Sequence, residues 1–155
     1  MNSVGGDGPV VVDTGIFGAG LTSRSMPLAQ RYASLLVGRQ LVIAVQTVTE
    51  LYCGARKANW GEARLQQLEQ RIARAVIAPC DDQLARTCAD LRLRCLRQGH
   101  ALAQKVHTND LWVAATAAHY EIPLVSNDRV FEGIPGLRLL TGTTEPGGGC
   151  RYTEA

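Results

Sequence analysis

The chain lacks the features that would tie it to a membrane or to an oxidising compartment. No uninterrupted apolar stretch approaches the ~20 residues that a spanning helix requires. The first residues, MNSVGGDGP, carry neither a basic start nor an apolar signal core. The expectation is a cytoplasmic protein with no membrane partner. Cysteine is present but unpatterned: five residues (Cys53, Cys80, Cys88, Cys95 and Cys150), with no CxxC pair. An odd, scattered set argues against both a disulfide framework and a cysteine zinc site. Cys88 and Cys95, seven residues apart on an expected helix, read as small buried apolar side chains. His100, His107 and His119 fit no zinc-ligand spacing. Lysine is scarce, occurring only at Lys57 and Lys105, and the net charge of +2 is too small to announce a nucleic-acid partner.

What is present is an ordinary globular composition, 46% hydrophobic and 19% charged in 155 residues, enough for one domain with a sizeable core. Short apolar runs alternate with helical patterns. Val10–Asp13, Leu41–Val45, Val76–Ala78, Leu124–Ser126 and Leu137–Leu140 read as strands. Helices are expected over Pro27–Val37, Gln46 to about Asn59, Glu62–Ala73, Asp81 to about Gln98, and Thr108–Tyr120, with Gly99 closing the fourth. Apolar strands alternating with helices predict a three-layer α/β/α fold, a mostly parallel central sheet covered on both faces. The domain is expected to fill 9–141, with a loose extension over 1–8 and a loose, glycine-rich tail over 142–155.

Four carboxylates recur at equivalent points of this pattern. Asp13 ends the first strand and Glu50 lies early in the helix after the second. Asp110 opens the helix near Thr108, and Asp128 follows the strand ending near Ser126. Each has a plain structural reading. Asp13 before Thr14–Gly15 suits a turn. Thr47 and Glu50 have the spacing of a capping box. Asp110 in a first turn gains ~0.3–1 kcal/mol from the helix dipole, and Asn127–Asp128 suits an Asx turn.

Together they suggest more. In an open α/β sheet the C-terminal strand ends and the following helix N-termini share one edge, where ligands bind. If the strands are neighbours, all four acids converge. Two like charges ~4 Å apart repel by about 4 kcal/mol at an effective dielectric of 20, more than helix dipoles return. Either the acids are dispersed, or protons or a cation neutralise them. Oxygen donors without histidine or cysteine select Mg²⁺ or Mn²⁺, and such a site points to phosphoryl chemistry. Thr14 and Ser126 offer hydroxyls to it. Thr108 and Asn109 stand beside Asp110 as candidate supports, though Thr108 equally suits an N-cap. His107, a loop histidine, is set aside. Arg129 and Arg56, with Arg24 and Lys57, are candidates for holding an anionic substrate.

The blocks VVVDTGIF, VTELYCGA, HTNDLWVAATA and LVSNDRVF, in this order, resemble the PIN-domain family, and within it the VapC-type toxins of toxin–antitoxin pairs. The resemblance runs from about Val10 to Leu140. It implies the α/β/α fold already read, and a Mg²⁺-dependent endoribonuclease, with Mn²⁺ able to substitute, that cuts a structured RNA such as tRNA or rRNA. It implies that Asp13 and Asp110 are the most regular metal ligands, that Glu50 completes the set, and that Asp128 acts directly or through water. A homodimer and inhibition by a VapB-type antitoxin are implied in the same way.

Two other classes compete. A phosphatase or phosphotransferase with Asp13 as nucleophile would want a second aspartate two residues on, where Gly15 stands. A receiver-type phosphoacceptor would want an acidic pair near the first strand and a late lysine, and SNDRVF holds none. A catalytically inactive module that binds RNA or protein shares the fold, but would be expected to have lost some of the four acids.

Overall fold

The computed structural model describes residues 8–142 together with Tyr152–Thr153. Within these, six strands form one sheet in the order β3-β2-β1-β4-β5-β6. β1 (Val10–Val12), β2 (Leu41–Ile43), β3 (Val76–Ile77), β4 (Leu124–Val125) and β5 (Leu139–Leu140) are parallel. β6 (Tyr152–Thr153) pairs antiparallel with β5.

The strands are apolar without interruption because both faces of the sheet are covered. Side chains alternate between faces. Val11, Val42, Leu124 and Leu139 enter one core with α5 (Asp82–Arg97) and α6 (Thr108–Tyr120). Val10, Val12, Ile43, Val125 and Leu140 enter the other. That second core is closed by α1 (Thr14–Phe17), α2 (Met26–Leu36), α3 (Val45–Lys57) and α4 (Glu62–Arg74). In α6 the run Val113–Ala117 is wholly buried, since the helix lies between sheet and α5 and its alanines allow close approach. Cys88 and Cys95 lie buried in the first core, as their spacing suggested. Among the described residues no helix is long and apolar enough to cross a membrane.

Several boundaries differ from those expected. β1 stops at Val12, and Asp13 instead caps a four-residue helix, α1, that the sequence pattern did not reveal. β2 ends at Ile43, because the backbone is already helical at Val45 and Ala44 is the N-cap. Thr47 and Glu50 therefore sit inside α3 and form no capping box. Gly99 does close α5: its φ of +67° is the left-handed conformation that glycine adopts without steric cost. The loose segments expected at 1–8 and 142–155 fall almost wholly outside the described residues, the β6 pairing apart.

Candidate active site: an acidic crevice at the sheet switch point

The chain lays down β1, β2 and β3 in one direction and then returns to place β4 on the other side of β1. That reversal leaves a crevice beyond the C-terminal ends of β1 and β4, the usual ligand position in such sheets. Asp13 follows β1, and Ser126 and Asp128 follow β4, so they flank it from both sides.

Asp13 is the buried centre, only 8% exposed. Its Oδ1 accepts the Thr14 N–H at 2.8 Å, which caps α1. Its Oδ2 accepts from the Ser126 hydroxyl at 2.9 Å. Ser126 is fully buried, and its oxygen also accepts the Asp128 N–H at 3.0 Å, fixing the strand-to-loop exit. Burial pushes the Asp13 carboxyl up to about 6. The donors at Ser126 and Thr14 partly oppose this, and the charges of Asp110 and Asp128 reinforce it. Burial likewise raises Asp110, opposed by a hydrogen bond from His107 and reinforced by Asp128 and Glu50. Asp13 thus feels the charges of Asp110 and Asp128, and Asp110 those of Asp128 and Glu50, which places the four acids around one crevice.

Glu50 is held at both oxygens by neutral donors. Thr14 donates its hydroxyl to Oε2 at 2.7 Å, and Asn109 donates its amide to Oε1 at 2.8 Å. α1, α3 and α6 are thus tied together through one carboxylate. The fully buried Thr47 hydroxyl, expected to cap the helix with Glu50, instead lies 3.5 Å from that of Thr14.

The expected supports of Asp110 are distributed differently. Asn109 serves Glu50 rather than Asp110. The Thr108 hydroxyl donates to the Lys105 carbonyl at 2.7 Å and so braces the preceding turn. The partner of Asp110 is His107, set aside in the sequence reading, whose Nδ1 lies 3.1 Å from Oδ2. The three-residue spacing across the helix start was the available signal. Asp128 does make the local turn expected of it: Oδ1 accepts the Val130 N–H at 2.9 Å and opens a short 3₁₀ turn, Arg129–Phe131. Arg129 is exposed just beyond it, and Arg56 is exposed in the last turn of α3. Among the described residues no hydrogen bond joins either arginine to the acids.

The donor set fits a hard divalent cation: carboxylate oxygens, hydroxyls nearby, and a buried acid with no cationic partner among the described residues. The coordination is not closed, however. Among the described residues no three His, Cys, Asp or Glu side chains converge closely enough to hold an ion. The fit lies in the chemistry of the donors.

Layering, strand order and an acidic crevice at the switch point define a parallel-sheet α/β/α protein of the PIN-like architecture. The chain belongs to the PIN domain family, whose family model matches residues 10–137. It is 31% identical over 128 residues to Ribonuclease VapC5 of Mycobacterium tuberculosis, spanning 81% of this chain and 87% of that protein. It also resembles the crystal structure of the VapBC-5 toxin–antitoxin system from Mycobacterium tuberculosis. There the TM-score is 0.61 at 30% identity, over 84% of this chain and 96% of that one. With the DNA-bound VapBC of Salmonella typhimurium the TM-score is 0.68 at 27% identity, over 86% and 97% of the two chains. The similarity is to VapC-type toxins along nearly the whole described chain.

Proposed function

We propose that this chain is the toxin of a toxin–antitoxin pair and a Mg²⁺-dependent endoribonuclease that hydrolyses a phosphodiester bond in a structured RNA. The observation that carries the reading is the buried Asp13 at the switch point, hydrogen-bonded to Ser126 and sensing the charges of Asp110 and Asp128. A buried carboxylate raised to about 6 by its surroundings is poorly stabilised as an anion. A cation there would restore the balance, and substrate phosphates are its natural second set of ligands.

Asp13 and Asp110 would hold the ion, with Glu50 and Asp128 completing the set directly or through water. Bound Mg²⁺, or Mn²⁺ in its place, supplies Lewis acidity toward the phosphate and lowers the pKa of an attacking water. The chain's own residues do the positioning. Thr14 and Asn109 prevent the Glu50 carboxylate from rotating, Ser126 fixes Asp13, and His107 orients Asp110. Arg129, next to Asp128, and Arg56, in the last turn of α3, are exposed guanidiniums that would contact substrate phosphates. A cytoplasmic homodimer inhibited by a VapB-type antitoxin completes the proposal. The antitoxin part of it is supported by similar solved structures being of VapBC systems.

The test is cleavage of total RNA by the purified chain with Mg²⁺ or Mn²⁺, against EDTA and Asp13→Asn, with cut ends mapped. Discrete cuts that vanish in both controls are expected. Cleavage that survives in Asp13→Asn overturns the assignment of Asp13, and cleavage that survives EDTA overturns the metal requirement.

A further inference from the structure

At the opposite edge of the sheet lies a second polar cleft, unconnected with the acids. It is a cavity of about 570 Å³ between the C-terminal half of α4, the start of β2 and the Gly20–Leu21 loop. Gln67, Gln70, Arg71 and Arg74 line it from α4. Their spacing of three, four and seven residues puts them on one helix face, while Leu68 and Ile72 turn into the core. Arg39 and Gln40, immediately before β2, form the facing wall. Because β2 runs away from this wall toward α3, the cleft sits at the strands' N-terminal ends and the carboxylates at their C-terminal ends.

Three arginines, Arg39, Arg71 and Arg74, line this cleft, and among the described residues none forms an ion pair: the ion pairs present are Arg86–Asp82 and His107–Asp110. Arg71 is the most constrained. It is half-buried, and its Nη1 donates to the Phe17 carbonyl at 3.0 Å and to that of Ala19 at 2.7 Å. Those bonds fix the guanidinium in place without neutralising it, and burial lowers its pKa from the ordinary value. The Gln40 amide, on the facing wall, donates to the Arg74 carbonyl at 3.4 Å and helps close the end of α4. The cleft therefore presents excess positive charge around one fixed guanidinium, that of Arg71, and among the described residues its lining holds no carboxylate and no aromatic ring.

We propose that this cleft is a phosphate-binding site, distinct from the acidic crevice, that recognises phosphate groups and not bases. Guanidinium forks match phosphate oxygens in bidentate geometry, and the glutamine amides add neutral donors. Without an aromatic surface for stacking, bases gain little there. The volume is within the range of small-ligand sites, so one or two phosphate groups fit. The phosphate has two possible sources, a free phosphorylated small molecule or the backbone of an RNA strand.

The test is calorimetric titration of the full chain in EDTA, which blocks cleavage, with inorganic pyrophosphate as probe. Binding is expected that weakens at least tenfold in the double variant Arg39→Gln, Arg74→Gln. Both side chains lie clear of the core, and an unchanged circular dichroism melt confirms that the variant folds. Asp13→Asn should bind pyrophosphate as the parent does, which separates this site from the proposed ribonuclease centre. Competition by a uridine octamer would assign the phosphate to an RNA strand, and its absence to a free ligand; either result supports the site. Failure to bind pyrophosphate, binding indifferent to the arginine changes, or capture of polyglutamate in its place would overturn the proposal.

Discussion

The Ser126 hydroxyl donates to Asp13 Oδ2 at 2.9 Å, joining the ends of two adjacent strands from residues 113 apart in sequence. This bond stabilises the ionised form of a carboxyl that burial otherwise drives toward protonation. Ser126→Ala removes it. The Asp13 carboxyl should then titrate above its parent value of about 6, read from the carbon-13 shift of its carboxyl in metal-free protein. A midpoint unchanged or lower would show that the serine does not stabilise the anion.

The same burial gives the metal-free fold a definite pH dependence. Folded Asp13 titrates near 6, against the ordinary aspartate value of 3.8 that it regains in the unfolded chain, so between these values the folded state binds more protons than the unfolded one. Stability contributed by this group consequently falls as pH rises from about 4 to about 6 and stays low above that. The loss is about 3 kcal/mol at most, from 1.36 kcal/mol per pKa unit. Urea denaturation in EDTA should show the parent losing stability over this range, and Asp13→Asn losing less of it and standing higher at pH 7.5. Parallel curves for the two proteins would contradict this.

Asn109 is exposed and reaches 59 residues back in sequence to grip Glu50. Asn109→Ala leaves that carboxylate to Thr14 alone. On the proposed chemistry, RNA cleavage should fall roughly tenfold, about 1.4 kcal/mol, in line with one hydrogen bond to a charged group. The melting temperature should change little. A large loss of stability with full activity would make Asn109 a brace for the fold alone.

The fold was legible because Val10, Val11 and Val12 form an unbroken apolar run, as a strand buried on both faces must. The acids were legible because such runs end abruptly on carboxylates. What escaped the sequence was non-local or too short to be periodic. Four residues cannot display a helical repeat, so α1 became visible only with Ile16 and Phe17 packed in the core and Asp13 capping it. The Thr47–Glu50 spacing suggested a capping box because Ala44, the true N-cap, offers no side-chain signal. Asn109 stands beside Asp110 in sequence yet serves Glu50, a choice made by the packing of α6 against α3. His107 reaches Asp110 because a 3₁₀ turn, Lys105–His107, precedes the helix and sets the direction of the ring.

The most direct measurement is calorimetric titration of Mn²⁺ into the full chain at pH 6, beside Asp13→Asn and Asp110→Asn. With Asp13 half-protonated near that pH, binding should release protons, seen as a heat that varies with buffer ionisation enthalpy. Each variant should bind at least tenfold more weakly. Equal Mn²⁺ affinity in the parent and both variants would mean that the acidic crevice is not a metal site.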